Sequence, residues 1–138
     1  MYRILISGYY GFNNIGDESI LMAVVSSLRE KLDDIEITVL SQNPESTAAK
    51  YGVKSENRKS VTAVLRALKN CDLLISGGGS LLQDVTSSKS LHYYLAIIRF
   101  AQLLGKKVFI LLIFDYLAEC LFLLSNTVTP VRTPPLIA

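Results

Sequence analysis

The sequence predicts an α/β domain with a Rossmann-like parallel sheet covered by helices on both faces. Short apolar runs alternate with segments of helical periodicity, which is typical of successive βαβ units. Two glycine-rich turns, 7–18 and 76–80, each follow an apolar run directly. Half of the 138 residues are hydrophobic, which is ample for the core of one ordinary domain.

The first βαβ unit occupies the first forty residues. Residues 2–7 predict a buried strand that ends at glycine, and residues 17–32 predict a helix whose apolar side chains share one face. Residues 35–40 are rich in β-branched side chains and predict the second strand. The crossover between two such parallel strands is right-handed.

The alternation continues to about residue 114. Parallel strands joined by helices leave their carboxyl ends at one edge of the sheet, where α/β proteins bind ligands. The remaining predicted elements are a short helix near 46–51, a short strand around Val53, a helix capped by Ser60, a strand at 73–76, a helix at 88–104 ended by Gly105, and a strand at 108–114.

Charge and cysteine content exclude several function classes. Fourteen basic and 12 acidic residues give a net charge of +2 without a basic stripe, so no nucleic-acid partner is predicted. Cys71, Cys120 and a single histidine cannot form a structural zinc site, and we predict no metal. The amino terminus lacks the apolar run of a signal peptide, and two acids interrupt the apolar run 108–124. We therefore expect a cytoplasmic protein with reduced thiols.

The first glycine-rich turn does not match a known phosphate loop. Gly8, Gly11 and Gly16 do not have the spacing of a dinucleotide fingerprint. Gly11 and Gly16 have the spacing of a Walker A loop, but Asp17 and Glu18 stand where that motif needs Lys and Ser or Thr. Two carboxylates would repel a phosphate there, so the turn argues against hydrolysis of a nucleoside triphosphate.

The side chains of this turn favour a carbohydrate. Amides and carboxylates suit sugar hydroxyl groups, and aromatic faces stack on sugar rings. The same residues also have a structural interpretation, in which Asp17 caps a helix and the asparagines accept left-handed backbone geometry. Both interpretations stay open for Tyr9, Tyr10, Phe12, Asn13, Asn14, Asp17 and Glu18.

The second turn is clearer as a turn than as a site. Consecutive glycines after a buried strand indicate positive φ or close approach of the backbone to a ligand or to a packed helix. The polar residues that follow add groups able to bind hydroxyls. No nucleophile–base pair emerges from the sequence. The candidate residues are Gly77, Gly78, Gly79 and Ser80 in the turn, and Gln83 and Asp84 after it.

Residues 6–21 and 74–84 together resemble the polysaccharide pyruvyl transferases, and most closely their CsaB type. Residues 86–95 fit the same type, and the resemblance covers about residues 1–112. It implies the N-terminal half of a glycosyltransferase-B-like architecture of two Rossmann-like domains. It also implies transfer of pyruvate from phosphoenolpyruvate onto two sugar hydroxyls as a cyclic ketal. In the CsaB type the sugar is an N-acetylmannosamine of a cell-wall polymer precursor, and the ketal anchors the S-layer.

The resemblance assigns acceptor binding to the two turns. It implies phosphoenolpyruvate as co-substrate, no further cofactor, and a lipid-linked or nucleotide-linked sugar acceptor. A lipid-linked acceptor would bring the protein to the inner face of the membrane. The catalytic acid and most donor-binding cations are expected later in the family's sequence, so we expect this chain to be inactive alone. The implied acceptor-binding residues are Gly11, Asn13, Asn14, Gly16, Asp17, Glu18, Gly77, Gly78, Gly79, Ser80, Gln83 and Asp84.

The resemblance is lost abruptly within the last predicted strand. Residues 113–138 form an apolar and then proline-containing tail that lacks the family's pattern. We hypothesise a frameshift or a truncated gene, and the other two reading frames of the encoding DNA test it: without a family-like continuation in either, the hypothesis fails. An unpaired last strand would also invite self-association.

Two other functions are compatible with the turns alone. One is a non-catalytic module that binds a sugar or a nucleotide sugar. The other is one half of a nucleotide-sugar glycosyltransferase. Dependence on phosphoenolpyruvate distinguishes both from a pyruvyl transferase.

Overall fold

The computed structural model of the chain describes residues 1–77, 88–113 and 120–125. Within these residues, strands and helices alternate as the sequence predicts. In chain order the elements are β1 (Tyr2–Ser7), α1 (Ile15–Lys31), β2 (Ile35–Ser41), α2 (Pro44–Tyr51), β3 (Lys54–Asn57), α3 (Val61–Asn70), β4 (Leu73–Gly77), α4 (Ser88–Leu103), β5 (Lys107–Ile113) and β6 (Cys120–Ser125).

The strands form one sheet in the order β3-β2-β1-β4-β5-β6, and the first five are parallel. The chain builds outward from β1 in one direction through β3, then crosses back to β4 and builds outward in the other. The topological switch point therefore lies between β1 and β4. Ile4 is level with Leu73 and Ser7 with Ser76, so the two strands end side by side.

Helices cover both faces of the sheet, which confirms the predicted fold class. Successive strand residues point to opposite faces. Ile4 and Ile6 of β1 pack with α1 and α2 on one face, whereas Leu5 packs with α3 and α4 on the other. The sheet is thus the middle layer between two hydrophobic clusters.

Helix α1 begins two residues before the predicted start. The carboxamide of Asn14 accepts hydrogen bonds from the backbone N–H groups of Gly16 and Asp17, so Asn14 is the N-cap. Asp17 lies within the first turn and is not the cap, which corrects that structural interpretation. Asn13, with φ +59°, adopts the left-handed geometry expected of an asparagine in the turn, whereas Asn14 does not. The predicted cap Ser60 is confirmed, since it accepts from the backbone N–H of Ala63.

The tail contributes a strand that the sequence did not predict. β6 pairs antiparallel with β5, from Val108 opposite Ser125 to Ile113 opposite Cys120. The expectation that β5 is an unpaired edge was therefore wrong. An apolar run without polar alternation has no period by which to recognise a strand, and the free hydrogen-bonding groups of β5 supply the partner. Residues 114–119 and 126–138 of the tail lie outside the described residues. Among the described helices, none is both long and apolar enough to cross a membrane.

Candidate functional site

The first glycine-rich turn meets Gly77, at the end of β4, at the switch point. Tyr10 is 1% exposed, and its hydroxyl donates a hydrogen bond of 2.8 Å to the carbonyl oxygen of Gly77. A Cβ at Gly8 would lie 2.2 Å from that same oxygen, and a Cβ at Gly77 would lie 2.6 Å from the Cβ of Leu111. Gly8 and Gly77 therefore permit close packing of backbone at this edge of the sheet.

Gly11 docks the first turn onto the loop after β2. Its φ is +83°, and a Cβ there would lie 2.2 Å from the Oγ of Ser41. The neighbouring carbonyl of Tyr10 accepts a hydrogen bond of 3.0 Å from the backbone N–H of Gln42. A residue with a side chain would need both a strained φ and a displaced loop.

The Glu18 carboxylate stabilises the turn through hydrogen bonds within the fold. It accepts a hydrogen bond of 2.9 Å from the backbone N–H of Gly11 and a short one from the hydroxyl of Tyr51. The Lys50 ammonium lies 3.9 Å from it. Burial, and then the hydrogen bond to Glu18, raises the pKa of the Tyr51 phenol. The carboxylate is thus engaged within the fold.

The predicted acceptor-binding residues differ in accessibility. Asn13, Asn14 and Gly16 are exposed at the carboxyl edge, whereas Asp17 is 2% exposed. Burial, and then the negative charge of Asp17, raises the pKa of the neighbouring Tyr10. The remaining predicted residues of the second turn, namely Gly78, Gly79, Ser80, Gln83 and Asp84, lie outside the described residues.

Arg58 is a residue at this edge that the sequence analysis did not single out. It is 8% exposed, and its Nη1 and Nη2 donate hydrogen bonds of 3.2 Å to the Gly8 carbonyl and the Tyr94 hydroxyl. The Tyr93 hydroxyl donates to the carbonyl of Arg58 at 2.7 Å. Arg58 thereby joins the first turn, the end of β3 and helix α4.

Four aromatic rings surround the Arg58 guanidinium. Its Cζ lies 5.9, 5.0, 4.7 and 5.5 Å from the ring centroids of Tyr9, Phe12, Tyr93 and Tyr94. The Tyr9 and Phe12 rings stack on each other at 4.0 Å. Among the described residues, no carboxylate lies at salt-bridge distance from Arg58. Within the described residues, ring faces and neutral oxygens surround this buried charge, and ring faces attract a cation.

A cleft of about 560 Å³ opens between α3 and α4 beside Arg58. Arg58, Lys59 and Lys89 line it at the carboxyl edge of the sheet, and Tyr9, Phe12, Tyr93 and Phe100 add aromatic walls. No acidic residue is among the described residues that line it. Its aliphatic lining is Val61, Val64, Leu65, Leu68, Ala96 and Ile97.

One signal in the sequence could have led to this cleft. Arg58 and Lys59 form a basic pair immediately before the helix cap Ser60, at the carboxyl end of a predicted strand. That is the place where open α/β sheets bind ligands. The sequence analysis predicted a short helix near 46–51, a short strand around Val53 and the cap Ser60 in this region, and it gave the basic pair no role.

A family model described as polysaccharide pyruvyl transferase matches residues 14–111, well over half of the chain. The chain belongs to the polysaccharide pyruvyl transferase family. The matched segment begins at the α1 cap Asn14 and ends within β5, so it includes Arg58 and the α3 and α4 walls of the cleft, and it leaves out Tyr9, Phe12 and β6. Membership of this transferase family confirms the broader part of the resemblance.

Other comparisons add little to the family assignment. No curated protein sequence is significantly similar to the chain. A sugar N-formyltransferase from Shewanella sp FDAARGOS_354 has a solved structure that matches with 16% identity and a TM-score of 0.32. The match covers 80% of this chain and 38% of that one, so the chain spans well under half of that protein's length.

Proposed function

We propose that this chain binds the acceptor sugar in the transfer of pyruvate from phosphoenolpyruvate to a polysaccharide precursor. The proposal rests on one observation in this member of the family. An exposed polar turn lies at the junction of β1 and β4, where open α/β sheets bind ligands. Asn13, Asn14 and Gly16 are exposed there. Such groups suit the dense hydroxyls of a sugar better than they suit a phosphate.

The proposed reaction joins one enolpyruvyl carbon to two sugar hydroxyls. The first hydroxyl oxygen bonds to C2 of phosphoenolpyruvate while C3 gains a proton and becomes a methyl group. The bond between C2 and the phosphate oxygen then breaks, and the second hydroxyl oxygen bonds to C2. One hydroxyl proton is accounted for on C3 and the other leaves with inorganic phosphate, so the ketal forms without water or oxidant. An acid and a base must move these protons.

The finer details of the proposal come from the resemblance to the CsaB type. They are an N-acetylmannosamine acceptor in a cell-wall precursor, a role of the ketal in S-layer anchoring, and a location at the inner face of the membrane. The acceptor is carried on a lipid or on a nucleotide. The resemblance implies that the catalytic acid and most of the donor-binding cations come later in the family's sequence.

An NMR titration tests acceptor binding. A disaccharide of N-acetylmannosamine and N-acetylglucosamine should shift the backbone amide signals of Gly11, Asn13 and Gly16. Asn13→Gly should weaken binding several-fold, since glycine accepts φ +59° and only the carboxamide is lost. Asp34→Gly is the matched control, because Asp34 also has a positive φ, of +53°, and lies just before β2 at the opposite edge.

The outcomes separate the proposal from its alternatives. Amide shifts confined to residues away from the junction of β1 and β4 would reject the proposed acceptor site. Equal weakening of disaccharide binding by Asn13→Gly and Asp34→Gly would reject it as well. Tighter binding of a UDP-sugar than of the disaccharide would favour a nucleotide-sugar glycosyltransferase half. Phosphate release from phosphoenolpyruvate that requires the disaccharide would show that the chain carries more of the machinery than proposed.

A further inference from the structure

We propose that strand β6 pairs with β6 of a second copy of this chain, so that two sheets join edge to edge in a two-fold dimer. The inference is independent of the proposed function, because it concerns the β6 end of the sheet and not the junction of β1 and β4. The sequence predicts self-association at an unpaired last strand, and within the described residues that strand is β6 instead of β5.

The outer side of β6 is a free edge in the part of the chain that the structure describes. β6 is the last strand of the sheet, and its inner side pairs with β5, from Cys120 opposite Ile113 to Ser125 opposite Val108. In an antiparallel ladder, alternate residues exchange hydrogen bonds with one neighbouring strand, and the residues between them direct their N–H and C=O groups the other way. About half of the backbone groups of β6 are therefore available to another strand.

The residues of β6 lack the features that usually protect a sheet edge. Such edges are commonly protected by charged residues, by proline or by a bulge. Residues 120–125 have the sequence Cys-Leu-Phe-Leu-Leu-Ser, without a charge or a proline. Their pairing with β5 is continuous, so no bulge interrupts the strand. An apolar edge of this kind favours pairing with another chain.

Strand β3, at the other end of the sheet, is protected in a way that β6 is not. Its four residues, Lys54–Asn57, are all polar. The Lys54 ammonium lies 2.7 Å from the Glu36 carboxylate, and the Arg66 guanidinium lies 3.2 Å from the Glu56 carboxylate. Another strand that paired here would have to accommodate these charges, so we expect association through β6 and not through β3.

A second copy fits this edge because no charge in β6 repels its own copy. Two identical strands that pair antiparallel are related by a two-fold axis, which gives a closed dimer. Residues that face each other in such a pair have the same hydrogen-bonding role, and the two roles alternate along the strand. One of the two central residues, Phe122 or Leu123, therefore lies opposite its own copy at the axis.

The symmetry limits the assembly and leaves both candidate sites accessible. Both β6 edges are used in the contact and the remaining edges are the charged β3 strands, so assembly stops at two copies. The axis reverses the strand direction, so the β1–β4 junctions of the two copies lie at opposite edges of the joined sheet. A contact through one short strand is small beside the interfaces of stable dimers, and we expect dissociation in the micromolar range.

Light scattering of the complete chain over a dilution series tests the inference. A reducing buffer excludes disulfides through Cys120. We expect a reversible equilibrium between monomer and dimer, without larger species. Phe122→Lys and Leu123→Lys should each raise the dissociation constant about tenfold or more, because like charges then meet at or beside the axis.

Leu103→Lys is the matched control, because it also replaces an apolar residue by lysine. Leu103 is 72% exposed and is the last residue of α4, where a cation is compatible with the helix. This variant should change the dissociation constant by less than about twofold, since surface substitutions away from a contact have small effects. Circular dichroism and the Tm verify that each variant folds, and the dilution series of the unchanged chain decides the question if a variant does not.

Mixtures of oppositely charged variants locate the axis. Phe122→Lys mixed with Phe122→Glu should restore the dimer if Phe122 lies at the axis, because opposite charges then face each other. The corresponding mixture of Leu123→Lys and Leu123→Glu should restore it if Leu123 lies there. Recovery in one of the two mixtures supports the two-fold pairing and fixes its register.

Four results would overturn the inference. They are a monomer at every concentration up to the millimolar range, growth beyond the dimer, equal weakening by Leu103→Lys and the β6 variants, and no recovery in either mixture. None of them bears on the disaccharide titration, which reports on the β1–α1 turn. Conversely, a dimer together with no disaccharide shifts would reject the acceptor site and keep the β6 interface.

Discussion

The turn between β1 and α1 and the cleft between α3 and α4 lie at the same edge of the sheet, yet they use their polar groups differently. In the turn, Asn14 caps α1, Glu18 holds the backbone N–H of Gly11, and Gly8 allows close packing on Gly77. In the cleft, Lys59 and Lys89 remain exposed next to apolar surface.

The difference shows how a rigid part of the site supports an open one. Hydrogen bonds of Asn14, Glu18 and Tyr10 within the fold hold the turn, which favours one shape before any ligand arrives. Arg58 connects the turn to helix α4, which forms one wall of the cleft, because its guanidinium donates hydrogen bonds to both the Gly8 carbonyl and the Tyr94 hydroxyl. A ligand in the cleft would therefore meet an Arg58 guanidinium that is already held in place, beside the exposed Lys59 and Lys89.

The largest expected change in stability is that of Gly8→Ala, which tests whether the turn depends on close backbone packing. Gly8→Ala should lower the free energy of unfolding by about 3 kcal/mol or more, since its Cβ would overlap the Gly77 carbonyl and the Tyr10 ring. Gly16→Ala is the control, because its Cβ meets only the Asn14 Oδ1 at 3.4 Å. Alanine in the first turn of α1 should change stability by at most about 1 kcal/mol, in the stabilising direction. Urea unfolding measures both, and equal costs would contradict the packing argument.

A smaller change in stability is expected of Arg58→Lys, which tests whether Arg58 connects the turn to the cleft. Arg58→Lys should destabilise the fold by about 1–2 kcal/mol, since one ammonium cannot reproduce the two diverging hydrogen bonds of the guanidinium. Lys59→Arg changes the neighbouring exposed cation and should stay within about 0.5 kcal/mol. If Arg58→Lys left stability unchanged while NMR still showed the turn intact, Arg58 would not be the connecting residue.

The smallest effect concerns a single hydroxyl and its titration. Tyr10→Phe should lose about 1 kcal/mol at neutral pH, because the Gly77 carbonyl loses its donor. Burial raises the pKa of Tyr10, so the folded state keeps the phenol protonated at a pH where the unfolded chain releases the proton. Stability contributed by Tyr10 is thus fully present below about pH 10 and declines above it.

The free energy of unfolding above about pH 10 checks whether the ionisation of Tyr10 destabilises the fold. Tyr10→Phe should flatten the decline above about pH 10 by up to about 1.4 kcal/mol per pH unit, the value for one proton. Tyr9→Phe is the control, since Tyr9 is only half-buried in its stack with Phe12. An unchanged alkaline slope in Tyr10→Phe would show that Tyr10 ionises equally in both states.

The structural roles of the first turn were only partly predictable. Its position after a buried strand indicated the edge of the sheet correctly, because that follows from the local alternation of strands and helices. The choice of Asn14 over Asp17 as cap depended on where α1 begins, and short polar side chains at neighbouring positions are nearly equivalent as caps. The burial of Asp17 follows from the docking of the turn, which involves residues far along the chain.

The cleft and β6 were not predicted, for related reasons. The four rings around Arg58 come from two segments more than 80 residues apart at their extremes, Tyr9 and Tyr94, so no local pattern joins them. Strand β6 has no alternation of polar and apolar residues to identify it and depends on pairing with β5.

The sequence by itself determined the order of strands and helices from β1 to β5, the parallel sheet with two covered faces, and the family, because all three depend on local periodicity and contiguous motifs. Only the tertiary structure decided that Tyr10 closes the junction of β1 and β4, that Arg58 connects the turn to α4, and that cations and apolar side chains share one cleft. These depend on contacts between residues distant in the chain, and the free energy of such contacts arises only when packing brings them together.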